Sequence, residues 1–138
     1  MKFILTSLLL LTTSLSVFAK DLSKAKQKKI VENIAKEVRE EFDNAGHQAV
    51  ETGAPKLLTK KELIKTYLQV KEDIYAEEAL SSKEISSLFR CHYSKSCALW
   101  FFGSSSDYWG GYGTYEHFIL MNVKNGKSEE IRYMSYAE

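Results

Sequence analysis

The sequence predicts an α+β domain: three N-terminal helices packed on a C-terminal antiparallel sheet, the sheet a meander with an Asn-Gly hairpin. Three observations predict it. Apolar residues recur at three- and four-residue steps as far as Phe89. After Cys97 the period shifts toward two. Asn125-Gly126, the dipeptide of a type I′ turn, then separates two strand-like runs.

The first 19 residues stand outside this domain. Met1-Lys2 is a short positive start, residues 3–11 are almost unbroken apolar, and Val17-Phe18-Ala19 puts small residues at −3 and −1 of a cut. The reading is a cleaved signal peptide (1–19) ahead of one domain (20–138), placed in the periplasm or secreted. The apolar run is too short to span a bilayer, and no later run approaches that length, so no membrane insertion is expected.

The 138 residues carry 19 Lys+Arg against 18 Asp+Glu. Phosphate binding needs clustered excess cations, so nucleic acid is not an expected partner. The lysines of residues 20–29 read as the solvated start of a helix. The two cysteines, in an exported chain, read as one disulfide, Cys91–Cys97. It closes a short loop, worth about 2 kcal/mol on the loop-closure model, and fixes local shape more than it holds the domain together. Only His92 lies near the pair, so no metal site and no cofactor are expected.

In the first helix, over residues 21–42, Ile30/Val31, Ile34/Ala35, Val38 and Phe42 form one stripe. Glu32 and Lys36 make an i,i+4 pair, and Asn44-Ala45-Gly46 is the stop. Residues 47–56, with Gly53 and the single proline Pro55, read as a connection. Thr59-Lys60-Lys61-Glu62 has the form of a capping box and opens a second helix. Its stripe is Leu63/Ile64, Tyr67/Leu68, Val70 and Ile74/Tyr75, and it can continue through residues 77–80. Ser81-Ser82-Lys83-Glu84 is another capping box, starting a short third helix with Ile85, Leu88 and Phe89 that runs up to Cys91.

Ala98-Leu99-Trp100-Phe101-Phe102 is apolar on both faces, as in a central strand covered on both sides. Residues 103–114 read as a loop, and residues 115–123 and 128–136 as two strands. With Asn125-Gly126 as a two-residue turn, Leu120 faces Ile131 and Phe118 faces Tyr133, giving the core face. The other face holds Tyr115 with Tyr136, His117 with Met134, Ile119 with Arg132, and Met121 with Glu130. That face is amphipathic, so a helix, a second subunit or a partner must cover part of it, which makes a homodimer one reading.

This register also gathers the catalytic candidates. His117, Glu130 and Arg132 share one face, the residue set of small secreted ribonucleases, where a carboxylate and an imidazole exchange protons and a cation stabilises the phosphorane. A thiol nucleophile is excluded by the disulfide. Gly103-Ser104-Ser105-Ser106 lacks the Gly-x-Ser-x-Gly elbow, and nothing selects a carboxylate pair from Glu116 or Asp107. No reaction motif is present.

Recognition fits the composition better. Residues 104–113 mix Ser, Gly, Tyr and Trp, the composition of binding paratopes. Asp107, Tyr108, Trp109 and Tyr112 are the contact candidates there. His92, Tyr93 and Lys95 form a second set, on a loop whose disulfide lowers the entropy cost of inserting it into a partner. The cysteine-bracketed, histidine-bearing segment Cys91-His92-Tyr93-Ser94-Lys95-Ser96-Cys97, followed by an apolar strand, resembles the inhibitory loop of the periplasmic inhibitors of vertebrate-type lysozyme, over about a tenth of the chain. More broadly, the chain is similar in size and compartment to small exported immunity proteins that neutralise cell-wall-degrading effectors.

The expectation is therefore a non-enzymatic exported binding protein, an inhibitor or immunity protein that blocks a secreted or periplasmic hydrolase. The alternatives are a ribonuclease-like hydrolase using His117, Glu130 and Arg132, and a cone-shaped domain with a ligand pocket lined by Trp100 and Phe102.

Overall fold

In the structure, a computed structural model that describes residues 20–72, 80–108 and 111–137, the first helical stripe becomes α1 (Lys24–Asn44). Ser23 caps it, its hydroxyl accepting from the Lys26 amide at 3.2 Å. Gly46, at φ +81°, ends it where predicted, and the His47 amide closes back on the Phe42 carbonyl at 2.9 Å. The signal-peptide reading of residues 1–19 lies outside the described residues, as does the continuation of the second helix through residues 77–79.

The expected connection 47–56 holds two short strands instead, β1 (Gln48–Thr52) and β2 (Lys56–Leu57). Both are edge elements, where polar residues are the rule and periodicity is weak, and Pro55 falls between them. The Gly53 amide hydrogen-bonds the Gly103 carbonyl. A Cβ on Gly53 would meet that oxygen at 3.1 Å, a tight contact that favours glycine there.

Helices α2 (Lys60–Glu72) and α3 (Ser82–Tyr93) start at the two predicted capping boxes. Glu62 accepts from the Thr59 amide at 2.9 Å, and Glu84 from the Ser81 amide at 2.7 Å. Helix α3 runs past Cys91 to Tyr93, so His92 and Tyr93 belong to its last turn rather than to a loop. The disulfide Cys91–Cys97 then ties this turn to the first residue of β3 (Cys97–Tyr108), with the Cα atoms 5.1 Å apart.

Strands β3, β4 (Gly111–Asn122) and β5 (Ser128–Ala137) complete an antiparallel five-stranded sheet of order β1-β3-β4-β5, with β2 also on β3. The helices precede the three long strands, but β1 and β2 come between α1 and α2. Residues 103–108 and 111–114 are strand, not loop. Strands β3 and β4 pair without interruption out to Tyr108↔Gly111, and β1 lies against Ser104–Asp107 on the other side. Gly and Ser serve there as small strand residues, with Ser104, Ser105 and Ser106 all buried between neighbouring strands.

Helices cover both faces, as the doubly apolar run 98–102 implies. Against one face, Val31, Ala35, Val38 and Phe42 of α1 pack on Trp100, Phe102, Ile119 and Met121. Against the other, Leu63, Leu80, Leu88 and Cys91 pack on Leu99, Phe118, Ile131 and Tyr133. Helix α1 thus covers the amphipathic face for which a second subunit was one expected occupant. Trp100 and Phe102 lie in that core, 5% and 1% exposed, and line no ligand cone.

The predicted register is off by two residues. Phe118 pairs with Ile131 and His117 with Arg132. Since the side-chain period is two, every residue keeps its predicted face while its partner changes. The reason is Asn122. Its side-chain oxygen accepts from the Lys124 amide at 2.9 Å, and Asn125 does the same for Lys127. These side-chain turns stabilise a five-residue connection, 123–127, in place of the two-residue Asn-Gly hairpin. Gly126 still needs its glycine. It has φ +72°, and a Cβ would meet Ile30 Cδ1 of α1 at 2.8 Å.

Candidate functional site

The three catalytic candidates do come together, and two residues absent from the prediction join them. His117 is fully buried in the middle of β4. Its Nδ1 lies 2.5 Å from Glu130 Oε1 and its Nε2 2.6 Å from Ser104 Oγ. A carboxylate can only accept, so Nδ1 carries the proton and Nε2 accepts from the serine hydroxyl. Arg132 donates from Nε to Glu130 at 3.2 Å and forks onto Glu41 of α1, with both Nη–Oε distances 3.0 Å. One polar chain therefore crosses three strands, from Ser104 inside to Glu41 at the solvent edge.

The electrostatics follow from depth. Burial lowers the His117 pKa below its ordinary value, against the opposing pull of Glu130, and the ring is neutral near pH 7. Burial pushes Glu130 the other way, but its hydrogen bonds to His117 and Arg132 prevail and its pKa is lowered. The Arg132 hydrogen bond lowers Glu41 in turn, and both carboxylates hold Arg132 firmly cationic.

Ser104, His117 and Glu130 have the connectivity of a hydrolase triad, but the surroundings are those of a core. Phe102 stacks on the imidazole at 4.4 Å and 8° between planes, and the Phe42 ring lies 6.5 Å away. Ser104 is 4% exposed and sits mid-strand, paired on one side with Thr52 and on the other with Tyr115. Its backbone is committed to the two ladders, so no pair of free amides flanks the hydroxyl to hold an oxyanion. His117 is 0% exposed, whereas the ribonuclease reading has it face a polynucleotide.

The recognition candidates separate into two groups. His92 is half-buried at the end of α3, Tyr93 is 62% exposed, and Lys95 is exposed in the turn that follows. Asp107 is exposed at the far end of β3, opposite Tyr112. The side chains of Tyr108 and Tyr112, and all of Trp109, lie outside the described residues. Asp107 and the His92–Lys95 set lie at opposite ends of one 12-residue strand, roughly 35 Å apart at the rise of extended chain. They form two surfaces, not one. Among the described residues, no group of His, Cys, Asp or Glu is arranged to hold a metal ion, and no helix is long and apolar enough to cross a membrane.

One signal would have found one of the two missed residues. Taking residues 103–108 as strand puts Ser104 on the Trp100/Phe102 face, where His117 also points. Glu41 carries no such signal, because only the packing of α1 across the sheet brings it to Arg132. Comparison with known proteins finds no matching family model, no matching curated protein and no matching solved structure.

Proposed function

We propose that this is an exported, non-enzymatic binding protein, an inhibitor or immunity protein that blocks a secreted or periplasmic hydrolase through the surface around Tyr93. One observation carries the reading. The large apolar side chains exposed among the described residues are Ile64 (41%) and Leu68 (49%) on α2 and Tyr93 (62%) at the end of α3. Lys60, Ile64 and Leu68 form an i, i+4, i+8 row on α2. Lys60 Nζ stands 4.8 Å from the centre of the Tyr93 ring. The row therefore runs directly into the end of α3.

An exposed apolar pair on α2 with a cation at its start beside an exposed tyrosine has the make-up of a protein contact. The disulfide holds the Tyr93 turn in place before binding, which lowers the entropy lost on association. The supporting test is capture of a cell-wall hydrolase from periplasmic and secreted fractions by the disulfide-bonded protein. Tyr93→Ala and Leu68→Ser should each weaken capture at least tenfold while thermal melting stays within a few degrees. Unchanged capture by both variants refutes the assignment of this surface.

The Ser104–His117–Glu130 geometry favours one second reading, a serine hydrolase whose site opens when α1 lifts Phe42 away. A fluorophosphonate probe that labels the native protein at Ser104, with labelling lost in His117→Gln, supports it. An unlabelled native protein refutes it.

A further inference from the structure

On the sheet face opposite His117, a cavity of about 260 Å³ opens beyond the core under α2 and α3. Gly53, Phe101, Gly103, Ser105, Thr114 and Glu116 line it, and Ser104 and Tyr115 border it as well. A second cavity of about 340 Å³ shares Phe101 and Glu116 and adds Lys56, Glu62, Lys65 and Thr66. The second volume falls at the lower end of small-molecule sites and the first just below it, the size of a single ring.

Three features mark the cleft as built for a ligand. Ser105 is 4% exposed, yet its hydroxyl has no hydrogen-bond partner among the described residues. Buried hydroxyls are normally bonded, so this one has its donor and acceptor capacity in reserve beside the cavity. Gly103 is the second feature. A Cβ there would meet only the Tyr115 carbonyl, at 3.9 Å, so strand geometry does not demand glycine, and glycine weakens a strand interior. Its effect is to leave the floor open. The third is the balance of the walls. Phe101 offers an apolar ring with Lys56 Nζ 5.7 Å from its centre. Around it stand two carboxylates and two ammonium groups, with Ser105 directly opposite Thr114 in register.

Equal numbers of cations and anions favour neither a polyanion nor a polycation. Hydroxyl donors and acceptors, a carboxylate acceptor, ammonium donors and an aromatic wall suit a neutral ring with polar edges and an apolar face. We propose that this cleft binds a neutral sugar, one pyranose ring in the first cavity with the next residue of a glycan reaching the second. The site is distinct from the Tyr93 surface and does not depend on it.

The test is an amide NMR titration of the disulfide-bonded protein with N,N′,N″-triacetylchitotriose, maltotriose and, as a zwitterionic competitor class, alanyl-alanine. The expected result is a saturable shift at the Gly53, Gly103, Ser105 and Thr114 amides with at least one trisaccharide, at a Kd of about 1 mM or tighter. Ser105→Ala should weaken it at least fivefold and Gly103→Val should abolish it. If Gly103→Val does not fold, Ser105→Ala decides alone. The proposal is overturned if neither trisaccharide shifts these amides, if alanyl-alanine binds more tightly than both, or if Ser105→Ala binds as well as the native protein.

Discussion

Protonating His117 should cost the protein stability, and the size of the effect follows from its surroundings. Burial holds its folded-state pKa below the ordinary 6.5, against the pull of Glu130. The unfolded chain therefore binds the proton more readily below pH 6.5, and stability falls as pH falls. The contribution is fully present above the unfolded value and is lost on the way down toward the depressed folded one. For one group the slope cannot exceed about 1.4 kcal/mol per pH unit. Between pH 7.5 and 5.5 the loss is bounded at about 1.4 kcal/mol, a melting-temperature drop of at most roughly 5 °C for a domain of this size. Glu130 and Glu41, both lowered below 4.5, add their loss only at more acid pH. The assay is thermal unfolding by circular dichroism at the two pH values and constant ionic strength. His117→Gln is the control: less stable overall, it should lose most of the pH dependence in this window. A native melting temperature that stays flat or rises toward pH 5.5, or an equal drop in His117→Gln, would refute the reasoning.

Four further outcomes follow from other contacts. Gly126→Ala should cost about 2 kcal/mol by chemical denaturation, because its φ of +72° strains any Cβ and that Cβ would press on Ile30 and Leu22. A double-mutant cycle between Arg132→Met and Glu41→Gln should give a coupling of about 1 kcal/mol at low salt, shrinking at high salt, since the pair is bidentate but solvent-exposed. Replacing both Cys91 and Cys97 with serine should cost about 2 kcal/mol while the far-UV spectrum keeps its native form, because the bridge closes a span of only six residues. Ser105→Ala should leave stability unchanged or raise it by about 1 kcal/mol, since it removes a buried hydroxyl with no partner.

Much of the architecture was legible because strong local chemistry wrote it. The stripe from Ile30 to Phe42, the Thr59 and Ser81 capping boxes, and the doubly apolar run 98–102 each specify an element without help from distant residues. What escaped was decided by competition or by distance. At the β4–β5 turn, Asn125-Gly126 is a strong signal, but Asn122 offers the backbone a competing side-chain turn and shifts the register by two. Residues 103–108 have loop composition, yet β1 and β4 on either side demand small residues in extended chain. In the site, His117, Glu130 and Arg132 could be grouped from strand periodicity alone. Their burial could not, because it depends on α1 crossing that face and laying Phe42 over it. With that burial, the set links sheet to helix through the hydrogen bonds from His117 to Glu130 and from Arg132 to Glu41.

Under the proposed function the protein acts by contact at its surface, not by chemistry at its buried serine and histidine. The most direct test of this follows peptidoglycan hydrolysis by purified muramidases and amidases as the protein is added in increasing amounts. Near-stoichiometric inhibition of one such enzyme by the native protein and by His117→Gln, lost in Tyr93→Ala, is the predicted result. Hydrolysis of the substrate by the protein alone, abolished in His117→Gln, would contradict the account.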